Sequence, residues 1–228
     1  CKIYKGDIKD KNLINKIFNE NDIDYVIHSA AMKYIDTCEK FQQDCIDTNI
    51  IGTLNICENA KKYGIKNVVS ISTDKANDPS SLYGISKLAT ERITLSHGYT
   101  VYQGVNFWNS DGSFTQKWKS AINNKFPVRL YNPEHIRFFS DPNDTANDVL
   151  DLVENNNNKV NYPKTAMKIK ILDVFHILKE KYPSNEFVIK SSFENAFDKD
   201  VEEIDESIIL TDISKDKLSI MIDNFMGH

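Results

Sequence analysis

The sequence predicts an α/β protein built on a doubly wound parallel sheet, followed by a small mixed α/β lobe. The first observation is that short apolar segments alternate with amphipathic segments of helical period over residues 1–106. The second is that the short segments are nearly continuous in apolar character, as expected of strands buried on both faces. Strands and helices that alternate in this way indicate a parallel sheet covered by helices on both sides.

Each element of the first 106 residues is predicted from its own pattern. The centre of Asn67–Ser72 is β-branched and apolar, which is typical of a buried strand. Leu13, Ile14, Ile17 and Phe18 form one apolar stripe, which predicts an amphipathic helix. In chain order, the predicted elements are strand Cys1–Tyr4, helix Lys11–Asn19, strand Tyr25–Ser29, helix Asp44–Tyr63, strand Asn67–Ser72, helix Leu82–Ser96 and strand Thr100–Val105.

The pattern loosens after residue 106, and residues 107–228 are predicted to form the second lobe. The polar turn Asn109–Ser113 predicts a helix cap, and the run Asn155–Asn158 ends a later helix. Some of these segments are expected to return to the first sheet. The predicted elements are helices Phe114–Asn123, Asp144–Glu154, Ile171–Lys181 and Lys215–Phe225 and strand Phe187–Ile189.

Composition and charge limit the classes of function. A net charge of −5 and a pI near 5.6 argue against a nucleic-acid partner, which requires clustered Lys and Arg. A mean hydropathy of −0.46 and the lack of an apolar run of bilayer length predict a soluble protein with no membrane partner. No signal peptide opens the sequence, so a cytoplasmic location is expected. The four cysteines lack metal-binding spacing, so we expect reduced, mostly packed thiols and no metal site.

A cluster of ionisable side chains follows the predicted strand Asn67–Ser72. Ser70–Ala76 contains hydroxyl, carboxyl and ammonium groups, and Tyr83 and Lys87 follow at i and i+4 on one helix face. A nearby ammonium lowers the pKa of a phenol, so this pair suits proton transfer with a sugar or alcohol hydroxyl. Tyr-x-x-x-Lys alone is common on solvated helix faces. Its position beyond the carboxyl end of a buried strand, where open α/β sheets bind ligands, favours the functional interpretation.

Further segments extend this pattern over residues 1–154: Gly6–Asp10, Val26–Lys33, Asp47–Thr53, Ser70–Ala76, Leu82–Leu88 and Arg137–Phe139. Together they resemble the extended short-chain dehydrogenase/reductase family, specifically its UDP-N-acetylglucosamine 4,6-dehydratases that also invert carbon 5. The most specific part is Ser-Thr-Asp-Lys-Ala before Tyr-Gly-x-x-Lys. The resemblance implies a partial Rossmann-like NAD(P)-binding domain over residues 1–106, which carries the catalytic residues, and a mainly UDP-sugar-binding lobe over residues 107–228.

The resemblance also implies a mechanism. NAD or NADP would be tightly bound and recycled, and the substrate would be UDP-N-acetylglucosamine or a related UDP-sugar. Tyr83 would remove the proton of the carbon-4 hydroxyl, with Lys87 lowering its pKa and Thr73 hydrogen-bonding the same hydroxyl. Lys75 would then remove the carbon-5 proton, and Asp74 would protonate the leaving carbon-6 hydroxyl. The product would be a UDP-4-keto-6-deoxy sugar for glycan biosynthesis.

Further residues are implied to bind ligands. The expected cofactor-binding residues are Asp7, Ile8, Ser29, Ala30, Ala31, Asn49, Ser72, Tyr83 and Lys87. The expected substrate-binding residues are Lys33, Asn106 and Arg137, with Arg137 on the diphosphate. Small side chains at 29–31 are expected equally from tight helix–sheet packing, and a Gly-Asp pair after a strand is also an ordinary turn. His28 is interpreted as a packed histidine.

The sequence departs from the family in two places. It contains no G-x-G-x-x-G motif, so the first βαβ unit is expected to be missing and the choice between NAD and NADP stays open. The stretch Gln103–Asn106 keeps only Asn106 of the family motif that follows the next strand.

Two alternatives to the dehydratase stay open. A UDP-sugar 4-epimerase of the same family would need Tyr83 and Lys87 but not Asp74 and Lys75. A catalytically inactive nucleotide-binding or regulatory relative would need none of them. A homo-oligomer is expected in either case, because helices Asp44–Tyr63 and Leu82–Ser96 resemble the pair that forms the dimer interface of relatives.

Overall fold

The structure is a computed structural model that describes residues 1–190 and 204–227. The described residues form two compact units. The first unit comprises residues 1–104, 143–163 and 204–205, and the second comprises residues 105–142, 164–190 and 206–227. The chain therefore divides after Gly104, two residues before the predicted boundary, and residues 143–163 return to the first unit.

The first unit contains a fully parallel four-stranded sheet in the order β1-β2-β3-β7. Its strands are β1 (Tyr25–His28), β2 (Asn67–Thr73), β3 (Thr100–Gly104) and β7 (Val160–Asn161). Its helices are α1 (Lys11–Glu20), α2 (Ile35–Lys40), α3 (Gln42–Ile46), α4 (Gly52–Lys62), α5 (Leu82–Ser96) and α7 (Pro142–Glu154). The predicted α/β class with a doubly wound parallel sheet is confirmed.

The register of the sheet brings the carboxyl ends of its strands to one edge. His28 of β1 pairs with Ser70 of β2, so β2 continues three residues beyond the last residue of β1 and ends at Thr73. Thr73 in turn pairs with Gly104, the last residue of β3. Polar residues that follow β2 are therefore placed at the edge where parallel α/β sheets bind ligands.

Apolar packing holds the helices of the first unit against the sheet. Asp10 caps α1 by accepting hydrogen bonds from the backbone amides of Asn12 and Leu13, both at 3.0 Å. Ile14 and Phe18 of that helix then pack into a core formed with buried residues of α4 and β2, which are Ile56, Cys57, Ala60 and Val68. Cys1 is exposed, and Cys38, Cys45 and Cys57 are buried thiols, as expected.

The predicted strand Cys1–Tyr4 is wrong, because these residues form no regular strand. Ile3 is 92% exposed, and β1 pairs only with β2 among the described strands. An extended segment becomes a strand only when another strand lies beside it to supply hydrogen bonds, and no described strand lies beside Cys1–Tyr4.

The predicted helix Asp44–Tyr63 is interrupted in the structure. α3 and α4 are joined by a π-helical turn at Asp47–Ile51, so helical structure continues from Gln42 to Lys62 with one wider turn. A π turn shifts the hydrogen-bonding pattern and releases backbone carbonyl groups, and such turns are frequent at functional sites. Asn49 lies in this turn and is 1% exposed.

The second unit contains a mixed sheet in the order β10-β8-β6-β4 and a separate parallel pair, β5 with β9. Its strands are β4 (Asn106–Phe107), β5 (Val128–Leu130), β6 (Ile136–Ser140), β8 (Thr165–Lys170), β9 (Phe187–Ile189) and β10 (Ile209–Asp212). Its helices are α6 (Phe114–Asn123), α8 (Ile171–Lys181) and α9 (Lys215–Met226). They enclose a separate core around Trp118, Phe139, Phe175, Leu178 and Ile222. Across the described residues, no helix is long and apolar enough to cross a membrane.

Candidate active site

A short 3₁₀ turn, Asp74–Ala76, follows β2 and positions three of the predicted catalytic residues. The Asp74 carboxylate accepts a hydrogen bond from the Thr73 hydroxyl at 2.8 Å and one from the Lys75 ammonium at 3.2 Å. Both donors contact the same oxygen, Oδ1. The turn therefore holds a hydroxyl, a carboxylate and an ammonium as one hydrogen-bonded group.

The second oxygen of Asp74 has no such partner. The Asp74 side chain is only 2% exposed, and Oδ2 is buried with no hydrogen-bond partner within the described chain. A buried carboxylate oxygen without a partner is costly, by roughly 1–3 kcal/mol. A ligand hydroxyl that donated to Oδ2 would remove this cost.

Helix α5 begins beside this turn and is capped from two directions. The Ser81 hydroxyl accepts from the backbone amide of Gly84 at 3.2 Å, and Glu39 of α2 accepts from the amide of Leu82 at 2.7 Å. These caps fix the first turn of α5, which contains Tyr83. The position of the phenol therefore depends on a carboxylate 43 residues earlier in the chain.

Gly84 allows α5 to approach the Asp74–Ala76 turn closely. A Cβ atom at position 84 would lie 2.5 Å from the Lys75 carbonyl oxygen and 3.1 Å from the Pro79 Cβ. The first of these contacts is shorter than any real side chain makes and the second is tight, so a residue larger than glycine would require the turn or the helix to shift. The glycine of the Tyr-Gly-x-x-Lys motif thus brings the phenol and the Lys75 turn together.

The environment of Tyr83 differs from the expectation. Burial raises the pKa of Tyr83 to about 12, against the smaller lowering effects of the Lys75 charge and the Thr73 hydroxyl. In the structure, the ammonium that favours the phenolate is that of Lys75 on the neighbouring turn, and the effect expected of Lys87 stays a prediction. Tyr83 faces Thr73, Asp74 and Lys75 together.

Lys87 lies deeper in the unit than Tyr83. It is 5% exposed, and its ammonium donates a hydrogen bond to the Ile71 carbonyl of β2 at 2.6 Å. Burial lowers the pKa of Lys87 to about 8, partly offset by the charge of Glu91 one helical turn later. One N–H group of the ammonium therefore donates to the strand, and the other two take no part in that hydrogen bond.

Asn49 ties the loop after β1 to α5. Its side-chain oxygen accepts from the Met32 amide at 2.7 Å, and its amide nitrogen donates to the Met32 carbonyl at 3.0 Å and to Ser86 at 2.8 Å. Its backbone carbonyl, within the π turn, accepts from the hydroxyls of Thr53 at 2.6 Å and Thr90 at 2.9 Å. Asn49 thus supports the site from within rather than pointing its side chain at a ligand.

The remaining predicted cofactor residues fall into two groups. Ser29 and Ala30 are exposed and Ala31 is half-buried, so short side chains follow β1 at the ligand-binding edge. The Ser72 hydroxyl is instead directed into the protein, where it donates to Glu91 at 2.5 Å. Its role at this position is internal to the sheet and helix.

Asp7 and Ile8 lie in the turn before α1. Asp7 accepts from the Lys9 amide at 2.9 Å, which makes it part of an ordinary side-chain turn, and its side chain is 55% exposed. Ile8 packs against Gly52 of α4, where a Cβ atom would lie 2.5 Å from its side chain. The Ile8 carbonyl accepts from Asn55 at 3.0 Å.

The predicted substrate residues lie in both units. Lys33 is exposed in the first unit, with its ammonium 5.2 Å from the centre of the Tyr34 ring. Asn106 and Arg137 belong to the second unit, on the neighbouring strands β4 and β6, where Asn106 pairs with Phe139. Arg137 is 8% exposed, and Asn106 donates to the Phe138 carbonyl at 3.0 Å.

Three residues that shape the site were not predicted from the sequence. They are Glu39, which caps α5, Ser86, which binds Asn49, and Glu91, which binds Ser72. Only Glu91 carries a usable signal, since an acid four residues after Lys87 falls on the same helix face.

Across the described residues, no group of three or more His, Cys, Asp or Glu side chains could hold a metal ion.

Known proteins share this sequence pattern and fold. A family model described as a polysaccharide biosynthesis protein matches residues 2–217. The chain belongs to this family. The predicted relationship to the extended short-chain dehydrogenase/reductases, and to their dehydratases, is likewise confirmed.

Members of the polysaccharide biosynthesis family and its relatives differ in activity. The chain is 38% identical over 93 residues to a UDP-N-acetylglucosamine 4,6-dehydratase (inverting) of Campylobacter jejuni. The aligned residues make up 41% of this chain and 27% of that protein. The chain is also 30% identical over 158 residues to a UDP-glucose 4-epimerase of Rickettsia bellii. This alignment covers 65% of this chain and 46% of that protein. The chain therefore spans less than half the length of both.

A solved structure supports the fold over a larger share of the chain. The dTDP-glucose 4,6-dehydratase DesIV of Streptomyces venezuelae, solved with NAD bound, superimposes with a TM-score of 0.79. The superposition covers 98% of this chain and 79% of that chain at 15% sequence identity. At this level of identity the match establishes the fold of the polysaccharide biosynthesis chain and nothing finer.

Proposed function

We propose that this chain carries the catalytic centre of an NAD(P)-dependent UDP-N-acetylglucosamine 4,6-dehydratase that inverts carbon 5. The observation that carries the proposal is the turn after β2, where Asp74 and Lys75 form a hydrogen-bonded pair beside Tyr83 and one oxygen of Asp74 is buried without a partner. Oxidation at carbon 4 alone would need only the phenol and a lysine. An acid and a base beside them suit an elimination.

The first step uses Tyr83 and its neighbours. The phenol would take the proton of the carbon-4 hydroxyl, and Thr73 would hydrogen-bond that same hydroxyl. Because burial holds the pKa of Tyr83 near 12, the phenol is protonated in the resting site, and the Lys75 charge lowers the cost of forming the phenolate. The second charge available to the site is that of Lys87, held in place by the Ile71 carbonyl.

The second step uses the pair on the turn. Once carbon 4 is a ketone, the proton on carbon 5 is acidified. Transfer of one proton from the Lys75 ammonium to the Asp74 carboxylate across their hydrogen bond would leave Lys75 neutral, so that it can remove the carbon-5 proton, and Asp74 protonated. Asp74 would deliver a proton to the carbon-6 oxygen, which leaves as water. The shared hydrogen bond between the two side chains, 3.2 Å long, provides a path for returning the proton between base and acid.

The residues present fit NAD(P) as the redox partner. Short side chains at Ser29, Ala30 and Ala31 leave the backbone after β1 open to a flat ligand, and Lys87 keeps two ammonium protons beyond the bond to Ile71. Bound NAD(P) would supply the acceptor for the carbon-4 hydride and its donor to carbon 6. Asn106 and Arg137, on adjacent strands of the second unit, are proposed to bind the UDP part of the substrate.

Solvent isotope incorporation tests this proposal. The holoenzyme is incubated with UDP-N-acetylglucosamine in deuterated water, and the product is examined by proton NMR. We expect deuterium at carbon 5, because the proton removed there exchanges with solvent before it is replaced. A product that retains only protium at carbon 5 would contradict the elimination.

A UDP-sugar 4-epimerase is the second candidate. Its support is the longer match to the Rickettsia bellii epimerase, over 158 residues against 93 for the Campylobacter jejuni dehydratase. An epimerase would return a sugar changed only at carbon 4, with no loss of water and no deuterium at carbon 5. The same NMR spectrum therefore separates the two activities.

A homo-oligomer in the cytoplasm is also proposed. Its support is the exposure of two large apolar side chains on the helices expected to form the interface, Ile51 at 41% and Ile85 at 51%. Sedimentation velocity of the purified protein checks the prediction, which a monomer at micromolar concentration would contradict.

A further inference from the structure

Glu91 is a buried carboxylate that none of the proposed steps uses. It lies on α5 one helical turn after Lys87 and is 5% exposed. Charged side chains are rarely buried unless they are hydrogen-bonded and paired. Its partners therefore indicate what it does.

Two donors from neighbouring strands converge on Glu91. The Ser72 hydroxyl of β2 donates to its Oε1 at 2.5 Å, and the Gln103 side-chain amide of β3 donates to the same oxygen at 2.9 Å. Ser72 and Gln103 are paired residues in the parallel register of β2 and β3. Glu91 thus fastens α5 to both strands at the residue immediately before Thr73.

Glu91 lies four residues after Lys87 on the same face of α5 and interacts with it electrostatically. Lys87 also interacts electrostatically with His28 on β1, and Glu91 with Tyr162 directly after β7. Burial, with a smaller contribution from the Lys87 charge, lowers the pKa of His28 to about 4, so this imidazole is neutral. Glu91 is the group whose charge raises the pKa of Lys87 against the effect of burial.

We infer that Glu91 is a positioning residue for the active site, which fixes α5 to the ends of β2 and β3 and supplies the negative charge that keeps Lys87 an ammonium. Its carboxylate acts through Lys87 and through Ser72, and it touches neither substrate nor cofactor. The role of Lys87 in the reaction rests on the proposed function, whereas the coupling of Glu91 to Lys87 does not.

A titration of Lys87 tests the coupling without substrate or cofactor. The protein is labelled with lysine carrying ¹³C at Cε, and Lys87→Met identifies the resonance of interest. We expect Glu91→Gln to lower the titration midpoint of Lys87 by about one pH unit, because a neighbouring opposite charge is removed while the side-chain shape is kept. Glu58→Gln, on the exposed face of α4, is the matched control and should leave the midpoint in place.

Glu91→Asp provides a second variant in case Glu91→Gln does not fold. The shorter side chain keeps the charge but cannot hold both strand donors, so a smaller shift in the same direction is expected. An unchanged Lys87 midpoint in whichever variant folds would overturn the inference.

The pH profile of the holoenzyme then tests the link to the reaction. If Lys87 must be charged, kcat falls as the pH rises through its pKa, and Glu91→Gln should move that fall to lower pH by the shift seen in the NMR titration. Glu91→Asp should restore most of the wild-type profile. A shifted titration with an unshifted profile would overturn the positioning role, and a wild-type holoenzyme without dehydratase activity would contradict the proposed function alone.

Discussion

Two regions of the first unit, both rich in polar side chains, differ in how completely their hydrogen bonds are satisfied. Around α5, the side chains of Asn49, Thr53, Ser86 and Thr90 bond to one another or to backbone groups, and Glu91 accepts hydrogen bonds from the side chains of Ser72 and Gln103. After β2, the turn that carries Asp74 and Lys75 leaves Oδ2 of Asp74 buried without a partner among the described residues.

The difference separates positioning from chemistry. A fully bonded buried layer is rigid, because each group that moves loses a partner and gains none. A buried carboxylate oxygen without a partner is stabilised only when something else donates to it. The first arrangement holds the elements of the candidate site in place, and the second has an acceptor that the proposed substrate hydroxyl would satisfy.

Removal of Lys75 from the turn after β2 should have the largest effect on activity. In Lys75→Ala the base for carbon 5 and the partner of Asp74 are both lost, so we expect dehydratase turnover to fall by about 10²–10⁴-fold. Oxidation at carbon 4 should survive only in part, because Tyr83 is kept but loses the Lys75 charge that favours its phenolate. Product formation by NMR, together with a single-turnover test of carbon-4 oxidation, measures the two steps separately.

The matched control for this experiment is Lys66→Ala. Lys66 is a lysine of the same unit whose ammonium pairs with Asp24 at the surface, at 2.6 Å. Its removal should leave turnover unchanged. Full turnover in Lys75→Ala would show that Lys75 is not the base.

Gly84→Ala tests the position of the turn separately from its chemistry, because it displaces the turn or α5 and keeps every catalytic side chain. The added Cβ would lie 2.5 Å from the Lys75 carbonyl oxygen, so either the turn or the start of α5 must shift. We expect a loss of about 10²-fold in kcat, since a displacement near 1 Å at a reacting group has effects of this size. Stability should fall by about 1–3 kcal/mol, as expected of overpacking.

Arg92→Ala is the control for Gly84→Ala, because Arg92 is an exposed residue of the same helix. Urea unfolding and steady-state kinetics measure both variants. If Gly84→Ala retained wild-type kcat, the close approach of α5 to the turn would have no part in catalysis.

Much of the fold follows from local sequence patterns, whereas some strands do not. The limits of α5, α6 and α8 agree with those predicted from apolar period and capping residues. The strands β6 and β8 were missed, because their sequences IRFFS and TAMKIK mix charged and apolar residues and they gain their hydrogen bonds by pairing with strands far away in the sequence, antiparallel with each other and parallel with β4 and β10. Long-range pairing of this kind leaves little trace in a short window.

The same limit applies to the active site. The side-chain types that carry the chemistry could be recognised from their spacing, and the structure brings Thr73, Asp74, Lys75 and Tyr83 together. The capping role of Glu39 and the strand contacts of Glu91 could not, since each depends on a partner that only the fold brings into place, although the spacing of Glu91 from Lys87 was visible in the sequence. Their contacts exist only once α2 and β3 have packed against α5.

The effect that is smallest at neutral pH is expected within the satisfied layer, from the titration of His28, because it appears only under acidic conditions. The Thr53 hydroxyl donates to the Asn49 carbonyl at 2.6 Å, so its oxygen must accept from His28 Nε2, 2.9 Å away, and the neutral imidazole carries its proton there. Because burial lowers the pKa of His28 from 6.5 to about 4, the unfolded chain binds a proton in this window while the folded protein does not. The stability that His28 contributes is thus complete above about pH 6.5 and is lost as the pH falls to about 4, by up to roughly 3 kcal/mol.

Urea unfolding at a series of pH values measures this effect. The free energy of unfolding should fall less steeply with decreasing pH in His28→Gln, whereas His176→Gln, at an exposed position of α8, should keep the wild-type dependence. If the free energy of unfolding depended on pH equally in all three proteins, His28 would not resist protonation in the folded state. The buried layer would then not differ in this respect from an exposed part of the protein.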